Sequence, residues 1–236
     1  PMSNLKDRLL LSTSDLEVGY KGNSLLVGLD LTIRVGDITL LIGDNGTGKS
    51  SLLRTLSGLQ RKLSGSIIID EQELSELSAH DRSRQFATVF SGRPENIRMT
   101  GFEYVGQGRY PFTGWNGQLR QQDIEMIHQC IEQTNAKHLM DKSINSISDG
   151  ELQRLTLARA LAQEPNVLLL DEPTSFLDRK SKLLLADLIR ELAEKQNLSA
   201  IIATHDIEYF SSIASQTWEI PTGTTVGLNI DRGDAC

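Results

Sequence analysis

A glycine-rich segment in the first quarter of the chain has the residue types that bind phosphate. In order, its residues are Gly43, Asp44, Asn45, Gly46, Thr47, Gly48, Lys49 and Ser50. They fit the pattern G-x-x-x-x-G-K-[ST], in which backbone N–H groups and a helix N-terminus face phosphate oxygens. We expect Lys49 to reach the β- and γ-phosphates and the Ser50 hydroxyl to bind Mg²⁺, and we include Ser51 among the nucleotide-binding residues. The alternative is a glycine-rich turn with a capping serine.

Two carboxylates follow a short apolar run later in the chain. Residues 167–170 are apolar, and Asp171 and Glu172 come directly after them. A buried strand that ends in Asp is where a phosphate-loop enzyme holds its metal ion. We expect Asp171 to organise Mg²⁺ through water and Glu172 to act as general base toward the attacking water. The alternative for Asp171 is that it caps the turn that follows.

Two further polar residues lie near these motifs in the predicted fold. His205 follows a predicted strand at residues 199–203, and a position at the end of a strand beside the site favours a functional role over the structural role usual for a lone histidine. Asp178 precedes a predicted helix at residues 181–194 and is a candidate site residue, although capping that helix would also explain it.

These residues need strands and helices to position them. Residues 14–42 are predicted to be rich in strands, the last of them at 38–42, and a helix at 49–56 follows the glycine-rich loop. Shorter strands are predicted at 67–69 and 86–90.

Helical periodicity with glycine and proline then replaces this pattern from about residue 92 to 150, which predicts a helical insertion. The α/β pattern resumes with a helix at 152–162, a strand at 167–170, a helix at 181–194 and a strand at 199–203. Short apolar strands that alternate with helices favour a parallel sheet with the ligand at the carboxyl ends of the strands.

Composition narrows the class of protein. The chain has 236 residues, a net charge of −7 and 23% charged residues, which is ordinary for a globular protein of one large domain or two small ones. The acidic balance argues against broad nucleic-acid binding. Cys130 and Cys236 cannot form a disulfide framework and fit no metal spacing. With no apolar run long enough to span a bilayer and no secretory signal pattern, we expect a cytoplasmic chain.

Together the motifs resemble the nucleotide-binding subunit of an ABC transporter, over residues 14–220. The glycine-rich loop is similar to Walker A, and the two carboxylates are similar to Walker B. Residues 175–178 resemble the D-loop, which places Asp178 among the nucleotide-binding residues, and His205 resembles the switch histidine. Tyr20 lies where this family stacks an aromatic ring on adenine, although a strand aromatic in the core is the alternative. The resemblance implies ATP and Mg²⁺ as cofactors.

Residues 147–154 resemble the signature sequence of this family, usually Leu-Ser-Gly-Gly-Gln. In the family this motif completes the site of the opposite subunit, so Ser148 and Gly150 imply a homodimer with two ATP molecules between its subunits. Ser148 and Glu151 also have the spacing of a capping box, and a capped helix would aim the backbone amides. Asp149 and Glu151 replace the usual Gly and Gln, and we expect Asp149 to face outward because an acid beside phosphate is unfavourable.

A second departure lies at the end of the predicted strand 86–90. The family places a glutamine there, and this chain has Ser91, whose side chain is shorter and carries no amide. The substitution leaves open how contact with a transporter is coupled to hydrolysis.

Residues 99–112 carry the signal for the type of transporter. They resemble the helical segment of importers for iron-siderophores, haem and cobalamin, where Gly-Arg-Tyr-Pro is typical, and a helix end with a proline turn is the alternative. The resemblance implies an ATP hydrolase that drives uptake of a metal chelate through separate permease subunits, with a substrate-binding protein and no nucleic acid. It also implies a peripheral location on the inner face of the cell membrane, through the permease.

Other functions remain as alternatives. An exporter or lipid-transport ATPase would share every motif except residues 99–112, and a regulatory nucleotide-binding module without hydrolysis would explain Ser91. A non-transport ABC ATPase usually carries two cores or a long coiled coil, whereas this chain has one core and no sustained heptads. The guanine-reading pattern Asn-Lys-x-Asp of GTPases is absent from the sequence.

The expected fold class is α/β. It comprises a P-loop NTPase core with a mostly parallel sheet, an N-terminal antiparallel β subdomain and an inserted α-helical subdomain. Residues 1–236 are expected to form a single ABC ATPase domain, in which 1–91 and 151–236 form the RecA-like core with the β subdomain. The helical subdomain is expected at about residues 92–150.

Overall fold

The computed structural model describes most of the chain, as residues 5–90, 92–94, 97–175, 177–221 and 227–232. Ser91 and Cys236 lie outside the described residues, as does Phe176 within the D-loop segment. The strands are β1 (Leu9–Tyr20), β2 (Asn23–Leu29), β3 (Thr32–Arg34), β4 (Ile38–Ile42), β5 (Ser64–Ile69), β6 (Gln72–Glu73), β7 (Phe86–Val89), β8 (Val167–Asp171), β9 (Ser199–Ala203), β10 (Gln216–Glu219) and β11 (Asn229–Arg232). The α-helices are α1 (Lys49–Leu56), α2 (Ala79–Gln85), α3 (Gly101–Gly106), α4 (Gln121–Gln133), α5 (Asp149–Ala162), α6 (Arg179–Gln196) and α7 (Ile207–Phe210). Short 3-10 helices lie at Leu5–Asp7, Gln107–Phe112, Lys137–Leu139 and Ile144–Ser146.

The described strands form two sheets. The N-terminal sheet is antiparallel, with the order β2-β1-β5-β6 and with β3 also paired with β1. The second sheet has the order β11-β10-β4-β9-β8-β7 and is parallel except for β11. Because β4, β9 and β8 are parallel neighbours, the loops after their carboxyl ends meet at one edge of the sheet.

Both faces of the parallel sheet are buried. Along β8, Leu168 and Leu170 pack in the cluster that contains the insertion helices and α6, whereas Val167 and Leu169 pack with α1 and the antiparallel sheet. A strand buried on two faces has no solvent-facing positions, which explains its continuous apolar run.

The chain between β7 and β8 is helical, and α5 packs against both α3 and α4. The hydroxyls of Tyr104 on α3 and Thr156 on α5 lie 3.2 Å apart in this interface. Cys130 is buried on α4, and burial raises the pKa of its thiol to about 12. The thiol is therefore protonated at neutral pH and serves as a core residue.

Arg109, within the segment that carries the transporter-type signal, joins several parts of this helical layer. Its buried guanidinium donates to Asp123 Oδ1 (2.9 Å), to the Ala162 carbonyl (2.7 Å) and to Glu164 Oε2 (2.6 Å). The centroid of the Phe112 ring lies 3.9 Å from the guanidinium carbon of Arg109. The arginine of the Gly-Arg-Tyr-Pro sequence thus holds α4 against the carboxyl end of α5.

The α/β fold class predicted from the sequence is confirmed by this architecture. The helix predicted at residues 152–162 begins earlier, at Asp149, because Ser148 provides its N-cap. The helix predicted at 181–194 likewise begins at Arg179, since Asp178 caps it. No helix within the described part of the chain is both long and apolar enough to cross a bilayer.

Candidate active site

The glycine-rich loop connects the end of β4 to the start of α1. Gly48 is the N-cap residue of α1, its φ is 106°, and no side chain among the described residues caps the helix. That φ lies in the left-handed region, which glycine adopts without strain. At Gly43 a Cβ would lie only 3.0 Å from Thr47 Oγ1 and 3.1 Å from Ile220, so a larger residue would crowd the loop. The loop therefore leaves the first N–H groups of α1 uncapped, as a phosphate site requires.

Lys49 is buried within this loop, with 7% of its surface exposed. Its Nζ donates to the carbonyl oxygens of Gly43 (2.6 Å) and Asp44 (3.0 Å). The loop tip of Asp44, Asn45 and Gly46 is exposed. A buried ammonium group that is held by two backbone carbonyls can exchange these neutral acceptors for anionic phosphate oxygens.

Tyr20, the last residue of β1, lies beside the first turn of α1. The hydroxyl of Ser51 donates to Tyr20 Oη at 3.1 Å, and Ser50 next to it is half-buried. Tyr20 is 47% exposed, so it is not the core aromatic that was the alternative interpretation. Its ring is available to a base bound near the loop.

The two carboxylates lie at the carboxyl end of β8. Asp171 is buried and pairs in register with Ala203 of β9. Glu172 has a φ of 51°, a left-handed conformation that strains a non-glycine residue, and its N–H donates to the Ala203 carbonyl at 2.8 Å. Among the described residues, no group donates a hydrogen bond to its buried Oε2, although His205 Nδ1 lies 2.9 Å away. This oxygen therefore has unused capacity to accept a hydrogen bond.

The loop that carries His205 is fixed by an ion pair that the sequence analysis missed. Lys182 Nζ on α6 donates to Asp206 Oδ2 at 2.7 Å, and the Asp206 N–H donates to Thr204 Oγ1 at 3.0 Å. The hydrogen bond from Lys182 lowers the pKa of Asp206, although burial alone would raise it, and the same bond raises the pKa of Lys182. Because the pair joins residues far apart in sequence, no local pattern signals it.

The predicted signature segment begins α5, with Ser148 as its N-cap. The Glu151 N–H donates to Ser148 Oγ (3.3 Å), while the Ser148 N–H (2.9 Å) and hydroxyl (3.0 Å) both donate to Glu151 Oε2. These hydrogen bonds from Ser148 lower the pKa of Glu151, and the positive charge of Lys142 acts in the same direction. The capping box predicted from the sequence is therefore present.

The residues beside Ser148 lie against two other segments. Asp149 is paired with Arg93, whose Nε lies 3.2 Å from its Oδ1, and the Asp149 side chain is 56% exposed. A Cβ at Gly150 would lie 3.6 Å from Leu177 and 3.8 Å from Ser181, so this glycine packs near the start of α6.

Asp178 caps that same helix. Its side chain accepts a hydrogen bond of 2.7 Å from the Ser181 N–H, and this bond lowers the pKa of Asp178. The capping role that was the alternative for Asp178 is present in the structure.

The predicted site residues form two groups. The loop after β4 and the acidic end of β8 lie at the same edge of the sheet, on either side of the end of β9. There the Thr204 N–H donates to the Leu41 carbonyl of β4 (3.3 Å), and the Ala203 carbonyl accepts from the Glu172 N–H (2.8 Å). The signature segment forms the second group with Asp178. Within the described residues, no hydrogen bond or ion pair joins Ser148 to the phosphate loop, to Glu172 or to His205.

Comparisons with known proteins identify the family. Residues 26–175 match the family described as ABC transporter. The chain is 40% identical to an uncharacterised ABC transporter ATP-binding protein of Methanocaldococcus jannaschii, over 88% of this chain and 71% of that protein. It is 31% identical to an iron(3+)-hydroxamate import ATP-binding protein of Bacillus subtilis, over 92% of this chain and 80% of that protein.

A solved structure shows the same arrangement of elements. It is an inward-facing structure assigned to the metal-chelate type of ABC transporter, with a TM-score of 0.83 and 26% identity, and it covers 95% of this chain and 84% of that chain. The prediction of an ATP-hydrolysing cassette is confirmed. The chain therefore belongs to the ABC transporter family, as an ATP-binding and ATP-hydrolysing member.

Proposed function

We propose that this chain is the ATPase subunit of an importer that takes up a metal chelate through a separate permease. The observation that carries the ATPase mechanism is the buried Oε2 of Glu172, which accepts no hydrogen bond from the part of the chain that the structure describes and lies 2.9 Å from His205 Nδ1. A carboxylate oxygen in this condition can accept a proton from an attacking water.

The residues of the loop fit the triphosphate of ATP. The uncapped N-terminus of α1 and the buried ammonium of Lys49 supply positive charge, and the half-exposed ring of Tyr20 supplies a surface for adenine. In this proposal Lys49 leaves the carbonyls of Gly43 and Asp44 and binds the β- and γ-phosphates. Ser51 keeps Tyr20 beside the loop through its hydroxyl.

The chain supplies some of the oxygen ligands that a Mg²⁺ ion needs. Ser50 and Asp171 offer the oxygen donors that Mg²⁺ prefers. Within the described residues, no group of three or more His, Cys, Asp or Glu side chains could hold a metal ion alone, so phosphate oxygens and water must complete the coordination. When bound, Mg²⁺ neutralises charge on the phosphates. Ser50 would bind it directly, and Asp171 would hold it through water.

Hydrolysis in this proposal depends on positioning and charge. Glu172 orients the water and accepts its proton as the water attacks the γ-phosphate in line. His205 contacts the same phosphate, and the ion pair between Lys182 and Asp206 keeps the histidine loop in place. The left-handed backbone at Glu172 fixes where its carboxylate leaves the strand.

The second half of the site comes from another copy of the chain in this proposal. Ser148 and Gly150 of one subunit would close over the γ-phosphate held by the other subunit, next to Asp178 of the D-loop. The separation of the signature segment from the phosphate loop within one chain supports this arrangement. Closure of the homodimer on ATP and its opening after hydrolysis would drive the permease.

The type of cargo rests on two observations. Residues 99–112 resemble the helical segment of importers for iron-siderophores, haem and cobalamin, and a relative named for iron(3+)-hydroxamate import is 31% identical. We propose permease subunits and a substrate-binding protein as the further partners, no nucleic acid, and a location on the cytoplasmic face of the membrane. Residues 1–236 would act as one ABC ATPase domain, with the helical subdomain at about 92–150.

The substitution Glu172→Gln tests the mechanism. It keeps the size of the side chain but removes the proton acceptor, so we expect turnover to fall about 10²- to 10⁴-fold while ATP binding remains. The variant should also accumulate as an ATP-bound dimer in size-exclusion chromatography. Glu194→Gln, on the exposed side of α6, is the matched control. Full turnover of Glu172→Gln would remove Glu172 from the role of base.

The importer assignment needs a separate measurement. Co-purification with a permease, followed by ATP-dependent uptake of a ferric hydroxamate into vesicles that contain the complex, would support it. ATP-dependent release of cargo from the cytoplasmic side would instead identify an exporter.

A further inference from the structure

We propose that Arg93 is a positioning residue for the signature segment. In this inference, its guanidinium holds the residues on both sides of Ser148 and neutralises Asp149, so that the N-terminus of α5 can approach the phosphate held by a second subunit. The inference rests on the proposed function, because it assumes that Ser148 faces that phosphate.

The contacts of Arg93 surround the N-cap of α5. Nη2 donates to the carbonyl oxygen of Ile147 at 2.6 Å, and Nε donates to Asp149 Oδ1 at 3.2 Å. Nη1 lies 3.5 Å from the carbonyl oxygen of Ile144, in the short 3-10 helix that leads into the segment. Residues 147 and 149 flank Ser148, so one side chain binds the backbone carbonyl before the capping serine and the carboxylate of the residue after it.

The identity of the side chain matters for these contacts. The planar guanidinium group presents several N–H donors in a fixed geometry, and it can bind a carbonyl and a carboxylate at the same time. A lysine would supply the charge without this rigid arrangement of donors. Arg93 also comes from another part of the chain, because it follows β7 and lies 56 residues before Asp149.

The charges of the first turn of α5 explain why a cation is needed there. Asp149 and Glu151 are both acidic, which favours the helix N-terminus but opposes the approach of a phosphate. Glu151 has a cation of its own, since Lys142 Nζ lies 3.8 Å from its Oε1, and His138 Nε2 lies 3.6 Å from the same oxygen. Asp149 has Arg93 as its ion-pair partner among the described residues. Arg93 thus offsets the added acid where the family has glycine.

The pair could instead be an ordinary surface ion pair. The Arg93 side chain is 36% exposed and that of Asp149 is 56% exposed, and exposed pairs contribute little to stability. The two interpretations differ in what they predict for assembly. A surface pair leaves ATP-driven dimerisation unchanged, whereas a positioning residue changes it without changing nucleotide binding by the single chain.

The test uses the full-length Glu172→Gln chain, in which ATP-bound dimers are expected to accumulate. We would add Arg93→Ala and measure the ATP concentration that gives half-maximal dimer by light scattering. We expect it to rise about threefold to tenfold, because each of the two sites in the dimer loses one charge pair. Arg98→Ala, an exposed arginine of the same segment, is the matched control and should leave the value unchanged.

Two further variants separate charge from structure. Removal of the acid in Arg93→Ala/Asp149→Gly should bring the value back to within about twofold of the Glu172→Gln chain, because no unpaired charge then faces the phosphate. Arg93→Lys should lie between the two, since it keeps the charge but not the carbonyl contact. Binding of a fluorescent ATP analogue at protein concentrations that keep the chain monomeric should be the same for all variants.

Several results would overturn the inference. Equal dimerisation of Arg93→Ala and Arg98→Ala would show that Arg93 does not position the segment. A weaker dimer that Asp149→Gly does not rescue, with weaker analogue binding by the monomer, would show a general structural defect. If the Glu172→Gln chain binds the analogue but does not dimerise with ATP, the proposed two-subunit site fails, whatever the Arg93 variants do.

Discussion

Helices α1 and α5 begin at the two motifs assigned to phosphate binding, yet their N-termini are built in opposite ways. At α1 the N-cap is Gly48, the structure describes no side chain that caps the helix, and Lys49 binds carbonyls of the loop. At α5 the N-cap is Ser148, and the carboxylate of Glu151 accepts from both its N–H and its hydroxyl. One end has no side-chain cap, and at the other the N–H groups of Ser148 and Glu151 are already bonded to side chains of the same segment.

In the proposed mechanism the N-termini of α1 and α5 bind phosphate at different stages, and this explains why only one of them has a side-chain cap. The loop before α1 binds nucleotide in the single chain, so its N–H groups must be available at once. The end of α5 meets phosphate only after a second subunit arrives, and until then its polar groups need partners within the chain. The capping box of Ser148 and Glu151 thus keeps the signature segment ordered before the second subunit completes the site.

The strongest test of the open end is Lys49→Ala. Loss of a charge-assisted bond to phosphate should weaken ATP binding about 10- to 100-fold. Turnover should fall below detection, because the same charge is needed in the transition state. Calorimetric titration with ATP and a phosphate-release assay would measure the two effects. Lys195→Ala, at an exposed position on α6, serves as control, and retained affinity in Lys49→Ala would show that the backbone amides suffice.

A smaller effect is expected when α1 is given the capping residue type of α5. In Gly48→Ser the new side chain must adopt a φ of 106°, with Leu26 Cγ 3.5 Å from the Cβ position. We expect the free energy of unfolding to fall by about 1–2 kcal/mol and ATP affinity to fall about tenfold.

The reverse change, Ser148→Gly, should cost only a few tenths of a kcal/mol, since glycine is tolerated at an ordinary N-cap. Urea unfolding of both variants measures this asymmetry. Equal losses of stability in the two variants would mean that the two N-caps do not differ in the residue type that they require.

The smallest effect is expected from the charge of Glu151 in the capping box of α5. The pKa of Glu151 is lowered from its ordinary 4.5 by hydrogen bonds from Ser148, so the ionised group stabilises the fold above the unfolded pKa. That stability is lost as the pH falls through the lower, folded pKa. Glu151→Gln should therefore be less stable than the parent chain by about 0.5 kcal/mol at pH 7, and the gap should narrow as the pH falls below 4.5 and close below the lowered, folded pKa.

Unfolding free energies measured from pH 3 to pH 7 would follow this gap, with the exposed Glu132→Gln as control. A gap that stays constant with pH would assign the stabilisation to the shape of the side chain and not to its charge.

Local patterns were sufficient to predict much of the fold and of the loop. The strand at 38–42 and the helix at 49–56 have the predicted bounds, because an apolar run, glycines and a helical pattern are all local signals. The capping box at Ser148 was also readable from its spacing. The helix α5 nevertheless begins three residues before its predicted start, since the polar residues of its first turn carry no apolar periodicity.

Contacts between distant segments could not be predicted in this way. The pairs of Arg93 with Asp149 and of Lys182 with Asp206 depend on how the sheet and the insertion bring separate segments together. Arg109 drew attention through a family resemblance, and only the structure shows that it is a buried junction between α4 and the end of α5. Such contacts are set by topology, which no window of sequence contains.

Because Lys49 is buried, its ammonium group loses its bound water when the chain folds and not when ATP binds. Stripping an ammonium group of water is expensive, and here the folded chain has already done so, with two carbonyls as replacements for the lost solvent. ATP therefore does not have to dehydrate the lysine when it binds; it only has to be a better acceptor than two peptide oxygens. The chain gives up some stability in the resting state, and in return the nucleotide meets a cation that has already lost its water.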